Sequence, residues 1–363
     1  MTRTPLVSII VLNYNGIKYI NNCLESVLLS EYENFELIIV DNNSTDKSVE
    51  FVEDTFKDAR LNVIRNDTNM GFAAGNNIGV QNAKGKYVAL LNIDTIVDRM
   101  WLTEIILLLE SDVTIGVAQP KLLSLDDRSI FDSAGDYLDY FGLPICRGGS
   151  WFERDTGQYD TIQEIFSARG AALVTRKEII SAIGLFDNDY FLDFEDLDFC
   201  WRVKLYGKRV VFVPSSIVYH KGAGISSQNS LALKNIHPTK NSIMTLIKNY
   251  NTFHMIKYAI LPHLFAFFTG FFVLEVFLMK RENKLANIKF RVQAYLWILR
   301  NIRRLHTKRK HIQHNIRKVS DSEIMKCMIK TSVWRVAIWI INIQKEGKDK
   351  AKRSYFVNGL SHS

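Results

Sequence analysis

The chain has 363 residues, of which 47% are hydrophobic and 23% are charged, values that are typical of a globular protein and exclude a wholly disordered one. The net charge of +8 is unevenly distributed, because residues 280–353 hold 21 Lys and Arg against 5 Asp and Glu. The rest of the chain is acidic on balance. This basic C-terminal segment predicts binding to an anionic surface, and we expect a membrane rather than nucleic acid.

Two further features of the sequence indicate a cytoplasmic protein. The four cysteines are scattered and form no CxxC pair, which fits a reducing compartment and argues against a structural zinc site. The first residues run into an apolar, strand-like segment and show no small-residue cleavage site of a secretory signal. We therefore expect the N-terminal domain to lie in the cytoplasm.

The first 100 residues alternate between strand and helix patterns. Apolar, β-branched runs predict strands at 7–14, 35–42, 61–66 and 86–94. Apolar residues at helical spacing predict helices at 16–30, 44–56 and 71–83. Repeated strand-helix-strand units with continuous apolar strands are typical of a Rossmann-like, mostly parallel sheet with helices on both faces. The sequence therefore predicts an α/β fold.

The middle of the chain is less regular. Residues 120–165 are weakly patterned and predict a long loop or lid. Beyond them the patterns predict a strand followed by a helix within 169–187. A helix at about 196–206 and a strand within 208–222 complete the predicted sheet domain.

Residues 226–363 form a C-terminal region of different character, which we expect to be separate from a catalytic domain at 1–225. Residues 258–274 contain no Asp, Glu, Lys or Arg, but they fall short of the ~20 apolar residues of a spanning helix. They predict a membrane-embedded hairpin or an interfacial helix. The basic, aromatic segment 290–320 and the segment 332–345 predict helices that lie on anionic lipid. The alternative is a helical subdomain that buries these apolar stripes.

Polar residues follow three of the predicted strands, at the point where each strand ends: Asn13, Asn15, Asp41, Asn43, Asn92 and Asp94. Because ligands of parallel sheets bind beyond the carboxyl ends of the strands, we expect a site at this edge. Asp41 could accept a hydrogen bond from a pyrimidine ring there, and the alternative is an Asx-turn or a helix cap. The Gly-rich segment 69–79, which begins at Asn69, would let the backbone approach a ligand closely.

Asn92 and Asp94 end an apolar strand and offer oxygen ligands for Mg²⁺ or Mn²⁺. Such ions commonly use one or two carboxylates together with substrate phosphates rather than a closed protein cage. His220, at the end of the last predicted strand, would add an imidazole ligand, and the alternative is a structural histidine. The sequence therefore predicts a divalent-cation site with few protein ligands.

Four carboxylates lie close together in an aromatic stretch: Asp193, Glu195, Asp196 and Asp198. Taking an ionised carboxylate out of water is costly unless a partner compensates it. The structural interpretation is an acidic first turn of a helix, which is favourable by a few tenths to ~1 kcal/mol. We favour this interpretation for Asp193 and Asp198. Asp198 is also at i, i+4 spacing for an ion pair with Arg202.

Six motifs occur in this order within residues 5–225: SIIVLNYNG, IIVDNNSTDKS, NMGFAAGNNIG, LLNID, IGLFDNDYFLDFEDLDFCWR and VYHKG. As a group they resemble the family 2 glycosyltransferases of the GT-A fold, in the bacterial rhamnosyltransferase-like branch. The resemblance implies inverting transfer of a hexose, rhamnose in that branch, from a dTDP- or UDP-sugar.

The basic C-terminal region resembles the membrane-associating C-terminus of enzymes in this branch that act on polyprenyl-linked acceptors. The resemblance therefore implies a lipid-linked or other glycan acceptor in bacterial cell-surface polysaccharide synthesis. It also implies a peripheral or monotopic enzyme at the cytoplasmic face of the cell membrane.

The resemblance implies roles for single residues on the donor side. Asp41 resembles the Asp that reads the nucleobase, and Gly71 and Asn76 lie in the segment that resembles the nucleotide-binding loop. Asp94 resembles the last Asp of a DxD-type metal motif, whose other carboxylate is replaced here by an Asn. This single carboxylate departs from the fuller motif and puts metal dependence in doubt.

On the donor side, His220 also resembles the histidine that closes the metal and diphosphate site. On the acceptor side, Asp196 resembles the catalytic base. Glu195 would orient the base or bind the acceptor, and Arg202 would point at the diphosphate if it does not pair with Asp198. In-line displacement at an anomeric carbon needs one base for the acceptor hydroxyl and a neutralised leaving group. The nearby rings and carboxylates would raise the pKa of Asp196 towards neutrality.

Three alternatives remain open on the sequence. A processive polysaccharide synthase would need several spanning helices and a QxxRW motif, which the chain does not contain. A nucleotidyltransferase would need a Gly-rich, basic loop after the first strand, and NYNGIKY does not supply one. A catalytically inactive, basic membrane-binding protein on the same scaffold would bind through its tail and have no nucleotide affinity.

Overall fold

A computed structural model describes residues 4–149, 152–222, 231–268 and 284–331. The predicted interfacial helix at 332–345 and the end of the apolar segment, residues 269–274, lie outside the described residues.

The chain divides into two compact units. The first takes in the chain up to Asp136 and Cys146–Asn229, and the second takes in Tyr137–Ile145 and the chain from Ser230 onward. The excursion Tyr137–Ile145 lies within the predicted catalytic domain 1–225, yet it belongs to the second unit.

The strands of the described residues are β1 (Val7–Asn13), β2 (Phe35–Asp41), β3 (Leu61–Arg65), β4 (Tyr87–Asn92), β5 (Thr95–Val97), β6 (Ile115–Ser124), β7 (Phe131–Ser133), β8 (Asp136–Leu138), β9 (Pro144–Cys146), β10 (Gln163–Glu164), β11 (Ala172–Arg176) and β12 (Arg209–His220). Ten of them form one sheet in the order β10-β12-β6-β11-β4-β1-β2-β3, with β5 paired to β12 and β7 to β6. Strands β8 and β9 pair with each other.

The sheet is mixed rather than mostly parallel. Strands β1 to β4 are parallel neighbours, as predicted from the repeated strand-helix units. Strand β11 is antiparallel to both of its neighbours, β4 and β6. The short strands β5, β7 and β10 are also antiparallel to their partners. The expectation of a mostly parallel sheet therefore describes the N-terminal half of the first unit.

The helices of the first unit are α1 (Ile17–Leu28), α2 (Ser48–Thr55), α3 (Gly71–Asn82), α4 (Trp101–Ser111), α5 (Lys177–Ile183) and α6 (Glu195–Leu205). Successive side chains of a strand point to opposite faces of the sheet. Ile9 of β1 lies in one core cluster with Leu24 of α1 and Trp101 of α4. The next residue, Ile10, faces α3, where an added Cβ on Gly79 would lie 2.5 Å from it. Helices therefore cover both faces of the sheet, as predicted.

Residues 120–165 contain strands where the sequence predicted a loop or lid. Strand β6 is buried along its first nine residues, so it has no polar alternation by which to recognise it. Strand β6 pairs in parallel with β12 and antiparallel with β7. The short strand β10 pairs antiparallel with β12. Three-residue strands such as β7 are too short to show a period in the sequence.

The second unit is helical. Its helices are α7 (Leu231–Asn249), α8 (Thr252–Met255), α9 (Leu261–Phe268), α10 (Lys284–Arg300), α11 (Ile302–His311) and α12 (Asp321–Met325), with π-helical turns at Ile256–Ile260 and Ile312–Ile316. Within the described ranges, no helix is both long and apolar enough to cross a membrane.

The second unit has an interior of its own, which supports the alternative of a helical subdomain. Leu305 and Ile312 of the predicted amphipathic segment are buried. Arg309 donates hydrogen bonds to the carbonyls of Ile247 and Tyr250, so part of the basic charge stabilises the fold. The apolar stripes are therefore partly buried, and other large apolar side chains of the same helices remain exposed.

Candidate active site

The ends of β1 and β2 are joined by a hydrogen-bond network around Asn13. The strand register places Asn13 beside Asp41, and Asn13 Nδ2 donates to Asp41 Oδ1 at 2.8 Å and to Ser48 Oγ at 2.8 Å. Asp41 Oδ2 accepts from the Ser44 amide at 3.0 Å, a local bond that reaches three residues along the loop, one more than an Asx-turn spans. Both carboxylate oxygens of Asp41 thus have protein partners, and its role in reading a nucleobase stays a prediction.

Asn15 and Asn43 lie in the two loops that follow these strands. Both have left-handed backbone conformations, with φ of 51° and 66°, which Asn tolerates better than most residues. Asn15 Oδ1 accepts from the Thr45 amide at 2.8 Å, and the Asn15 amide donates to Ser44 Oγ at 2.9 Å. Ser44 and Thr45 therefore join the loops rather than cap α2, whose N-cap residue is Lys47.

The Gly-rich segment 69–79 contacts the acidic stretch through the backbone of Phe191. Asn69 Oδ1 accepts from the Gly71 amide at 2.9 Å. Gly71 has a φ of 79°, and a Cβ there would lie 2.6 Å from the carbonyl oxygen of Phe191. The Phe72 amide donates to that same oxygen at 2.7 Å. Asn76 is buried and donates to the Phe72 carbonyl inside α3, and its predicted role in binding the nucleotide-sugar stays a prediction.

The predicted cation ligands come together because β5 pairs with β12. This pairing places His220 opposite Thr95, the residue after Asp94. His220 Nε2 lies 3.3 Å from Asp94 Oδ1 and 3.5 Å from Asn92 Nδ2. Asp94 and His220 are both buried. The structure thus brings His220 to Asn92 and Asp94, from which the sequence separates it by more than 120 residues.

Sequence reasoning missed three charged residues next to this group. Asp132 Oδ2 lies 2.9 Å from His220 Nδ1, and its other oxygen lies 3.5 Å from Arg169 Nη1. Arg169 Nε lies 3.3 Å from Asp136 Oδ2. The available signal was the sequence DSAGD, two carboxylates around a glycine inside the weakly patterned region.

Asp132 and Asp94 together control the charge of His220. Burial alone lowers the pKa of His220, but the hydrogen bonds and charges of Asp132 and Asp94 outweigh it and raise the pKa to about 9. Burial raises the pKa of Asp132, and the hydrogen bond from His220 outweighs this and lowers it overall. Without a bound cation, His220 is therefore an imidazolium between two carboxylates, and a cation at Nε2 would replace the proton on that nitrogen.

The side chains of Asp94 and His220 fit a divalent cation that is also bound by the substrate. A carboxylate oxygen of Asp94 and an imidazole nitrogen of His220 converge, and both suit Mn²⁺ or Mg²⁺. In the part of the chain that the structure describes, no group of three His, Cys, Asp or Glu side chains is arranged to hold a metal ion. A cation here would need substrate phosphate oxygens to complete its coordination.

Asp196 is the second residue of α6 and is held by two backbone amides. Gly170 donates to Asp196 Oδ2 and Leu197 to Asp196 Oδ1, both at 2.7 Å. Burial raises the pKa of Asp196 to about 6, although the Gly170 hydrogen bond opposes the rise. The carbonyl of Ala171, the residue after Gly170, accepts a hydrogen bond from the Asn92 amide at 2.9 Å. The consecutive residues Gly170 and Ala171 therefore connect Asp196 to the end of β4, two residues before the predicted cation ligand Asp94.

The residues before Asp196 are strained and partly desolvated. Asp193 and Phe194 have φ of 68° and 72°, a conformation that costs non-glycine residues energy and is often found at functional sites. Glu195 is buried, and within the described chain its Oε2 atom has no hydrogen-bond partner. Burial, reinforced by the charge of Asp196, raises the pKa of Glu195 well above its ordinary value.

Arg202 corrects one of the sequence-based expectations. Its Nε donates to Asp198 Oδ2 at 2.9 Å, which confirms the predicted i, i+4 pair. Its remaining donors reach the carbonyls of Ile183, Gly184 and Leu185. Since the guanidinium is buried and four of its five N–H groups bind these partners, Arg202 anchors α6 and does not point at a diphosphate.

Comparison with known proteins identifies the family. A model of glycosyl transferase family 2 matches residues 8–141. A model of glycosyl transferase family group 2 matches residues 87–274, just over half of the chain. The chain belongs to the family 2 glycosyl transferases.

Two relatives of this family 2 chain illustrate how much of it they share. A protein of Sinorhizobium fredii, described as uncharacterised, is 31% identical over 229 residues, which cover 61% of this chain and 25% of that protein. A glycosyltransferase of Haemophilus influenzae, also described as uncharacterised, is 37% identical over 113 residues, or 31% of this chain and 35% of its own length. The chain thus spans about a quarter to a third of the length of these relatives.

Solved structures show the same fold. The crystal structure of GalNAc-T7 with UDP, GalNAc and Mn²⁺ has a TM-score of 0.57 at 16% identity, covering 71% of this chain and 50% of that chain. The structure of S. aureus TarS 1-349 in complex with UDP-GlcNAc has a TM-score of 0.54 at 16% identity, covering 98% and 93%. The family 2 chain therefore has the mixed α/β architecture of the GT-A glycosyltransferases.

Proposed function

We propose that this chain is an inverting glycosyltransferase of bacterial cell-surface polysaccharide synthesis. It moves a hexosyl group from a nucleoside-diphosphate sugar to a hydroxyl of a glycan or lipid-linked acceptor. One observation carries the proposal. Gly170 holds the carboxylate of Asp196, while the adjacent Ala171 is hydrogen-bonded to Asn92 at the cation site. A base and a diphosphate site on neighbouring backbone positions are what in-line sugar transfer requires.

The proposed chemistry needs one base. Asp196 takes the proton of the acceptor hydroxyl as that oxygen forms its bond to the anomeric carbon. The bond from this carbon to the diphosphate oxygen breaks on the opposite face, and the leaving diphosphate keeps the electron pair, so the configuration inverts. Asp94 and His220 would hold Mg²⁺ or Mn²⁺, which when bound neutralises charge on the leaving diphosphate. A glycosidase would instead need a pair of carboxylates flanking the scissile bond.

The donor nucleotide is proposed to bind along the ends of β1 and β2. Asn13, Asp41 and the loop around Gly71 line this edge of the sheet. Uracil and thymine present the same ring N–H and carbonyl pattern, so UDP and dTDP are both suitable probes. The likeness of the motifs to the rhamnosyltransferase-like branch supports a dTDP-sugar, whereas the similar structure of S. aureus TarS is a complex with UDP-GlcNAc.

Replacing Asp196 by Asn tests the proposal directly. The change removes the base but keeps an oxygen for the Gly170 amide, so UDP or dTDP binding should persist while transfer falls by about 10²–10⁴-fold. The measurement is a panel of nucleotide-sugars assayed for binding, slow hydrolysis and transfer. Asp193→Asn is the matched control, because Asp193 is an exposed acid of the same stretch whose left-handed backbone Asn tolerates.

Two results would contradict the proposal. Transfer by Asp196→Asn at the wild-type rate would remove the base assignment. A wild-type chain that binds none of UDP, dTDP and GDP would favour the inactive membrane-binding alternative over any glycosyltransferase.

We also propose that the second unit docks on the cytoplasmic face of the cell membrane, through anionic lipid. Large apolar side chains are exposed along one stripe of the helix that runs from α8 to α9: Phe253, Ile256, Ile260, Leu261, Leu264 and Phe265. This helical stretch contains a lysine, Lys257, and no acidic residue. Exposed aliphatic and aromatic side chains without acids are typical of interfacial helices.

A second exposed region supports the same proposal. Leu299 and Ile302 are exposed at the junction of α10 and α11, where Arg300, Arg303 and Arg304 are exposed as well. Apolar side chains between cations suit an anionic lipid surface, since the arginines attract the headgroups while the apolar groups insert.

A further inference from the structure

His220 faces the proposed cation site through one of its two ring nitrogens. Nε2 lies 3.3 Å from Asp94 Oδ1, and Nδ1 lies 2.9 Å from Asp132 Oδ2. A neutral imidazole offers one nitrogen as a ligand when the other carries the proton, so the partner of Nδ1 selects the tautomer. A carboxylate beside Nδ1 selects the tautomer whose Nε2 is available to a cation.

Asp132 is itself held in place from several directions. It is the middle residue of β7, whose neighbours Phe131 and Ser133 pair with β6. Its backbone carbonyl accepts from Cys146 Sγ at 3.1 Å. Its second carboxylate oxygen lies 3.5 Å from Arg169 Nη1. The side chain therefore has little freedom to turn away from His220.

We propose that Asp132 is a positioning residue that orients His220 towards Asp94 and so strengthens divalent-cation binding at this site. The inference rests on the proposed function, because the cation is the one that would neutralise the donor diphosphate. A purely structural role would make Asp132 and His220 a stabilising buried pair with no effect on cation affinity. Cation binding therefore distinguishes the two roles, whereas stability does not.

The experiment measures Mn²⁺ binding to the full chain, by the electron paramagnetic resonance signal of the free ion, first alone and then with UDP. Asp132→Ala removes the partner of Nδ1 and should weaken Mn²⁺ binding by about 10–100-fold, the usual effect of losing such a partner. Asp132→Asn keeps an acceptor but loses its charge, and should weaken binding by at least about threefold.

Asp126→Ala is the matched control. Asp126 lies on the same segment and pairs at 2.6 Å with Lys221, the residue after His220, but its side chain is 66% exposed. We expect its Mn²⁺ affinity to equal that of the wild type. At saturating Mn²⁺ with UDP-sugar, Asp132→Ala should recover much of its transfer rate, which a misfolded site would not do.

Each outcome decides the inference. Wild-type Mn²⁺ affinity in folded Asp132→Ala overturns it, and so does an equal loss in Asp126→Ala. If Asp132→Ala does not fold, Asp132→Asn decides by the same criterion. A wild-type chain that binds UDP but not Mn²⁺ overturns this inference and the cation role while leaving sugar transfer open. A wild-type chain that binds neither overturns the proposed function as well.

Discussion

Asp196 combines a cost in stability with the benefit that we propose for catalysis. Its pKa of about 6 lies above the ordinary value of 3.8, because burial disfavours the ionised form. The proton that stabilises the fold is the one that the base must lose before it can act. Stability and activity should therefore respond to pH in opposite directions around this value.

This opposition can be measured by urea unfolding of wild type and Asp196→Asn. The stabilisation from protonated Asp196 is fully present below pH 3.8 and is lost as the pH rises through about 6. The Asn variant cannot ionise, so its free energy of unfolding relative to wild type should rise by about 1–3 kcal/mol between pH 4 and pH 7.5. The transfer rate of the wild type should increase over the same range.

Asp126→Asn serves as the control for general charge effects, since Asp126 is exposed and lies outside the proposed base site. A constant difference between wild type and Asp196→Asn across this pH range would show that Asp196 has no raised pKa.

At the scale of elements, helix α6, which carries the proposed base, is positioned by one ion pair and three carbonyls. Asp198 is fully buried and accepts from Arg202 and from the hydroxyl of Tyr190. Arg202 in turn reaches the end of α5 and the turn after it, through Ile183 and Gly184. The acidic stretch therefore contains one structural acid, Asp198, beside the proposed base.

Arg202→Met should destabilise the fold and leave donor binding intact. Breaking a buried pair leaves the Asp198 charge uncompensated and typically costs about 3–5 kcal/mol. The free energy of unfolding should fall by an amount of this order, while the folded fraction binds UDP normally. Arg209→Met, which breaks the more exposed pair with Asp112, should change little. Lost UDP affinity at unchanged stability would restore the diphosphate role.

The loop before α3 depends on Gly71 for two separate reasons. Its φ of 79° strains any other residue, and an added Cβ would lie 2.6 Å from the carbonyl oxygen of Phe191. The close approach connects the proposed nucleotide loop to the acidic stretch, since Phe72 donates to the same carbonyl.

Gly71→Ala and Gly157→Ala separate strain from contact. Gly157 has a similar φ of 83°, but a Cβ there would meet nothing closer than Asp160 Oδ2 at 3.3 Å. We expect Gly157→Ala to lower the free energy of unfolding by about 1 kcal/mol through backbone strain alone. Gly71→Ala should lose at least about 1 kcal/mol more and should weaken UDP binding, because its loop must shift. Equal losses in urea unfolding would refute the role of the Phe191 contact.

At the scale of the whole molecule, the chain combines an acidic sheet unit with a basic helical one. The basic residues of the helical unit divide into two groups. Arg309 and Arg317 are engaged with carbonyls and with Asp321 in its interior, whereas Arg300 and Arg303 are exposed. Within the described part of the tail, Arg309 and Arg317 are therefore not available to anionic lipid, and fewer cations than the sequence charge suggests can contribute to the proposed membrane docking.

Leu264→Glu tests membrane docking. Leu264 is 46% exposed on the apolar stripe, and replacing an inserted leucine by a carboxylate should weaken binding to phosphatidylglycerol-containing vesicles by at least about tenfold. Leu107→Glu is the control, because Leu107 is 64% exposed on α4 of the sheet unit. Sedimentation with anionic and neutral vesicles measures both. Equal binding of wild type and Leu264→Glu would place the membrane contact elsewhere.

The sequence by itself determined the alternating elements of the first 100 residues and the order of the motifs. Ile9 and Ile10 belong to a continuous apolar run, and such a run is a property of a single segment that can be recognised without knowing its neighbours in the fold. The positions of Asp94, Asp196 and His220 at the ends or starts of elements could be predicted for the same reason. The resemblance then identified the family, which the matches at residues 8–141 and 87–274 confirm.

The tertiary structure decided which of these residues meet. Pairing of β5 with β12 brings His220 to Asp94, and pairing of β7 with β6 brings Asp132 to His220. Arg202 could equally have faced a ligand, and only the packed turn after α5 shows where its donors go. Such contacts depend on the burial and pairing of segments that are distant in the sequence, and no local pattern predicts them. The residues that support the site, such as Asp132, could therefore be identified only from the tertiary structure.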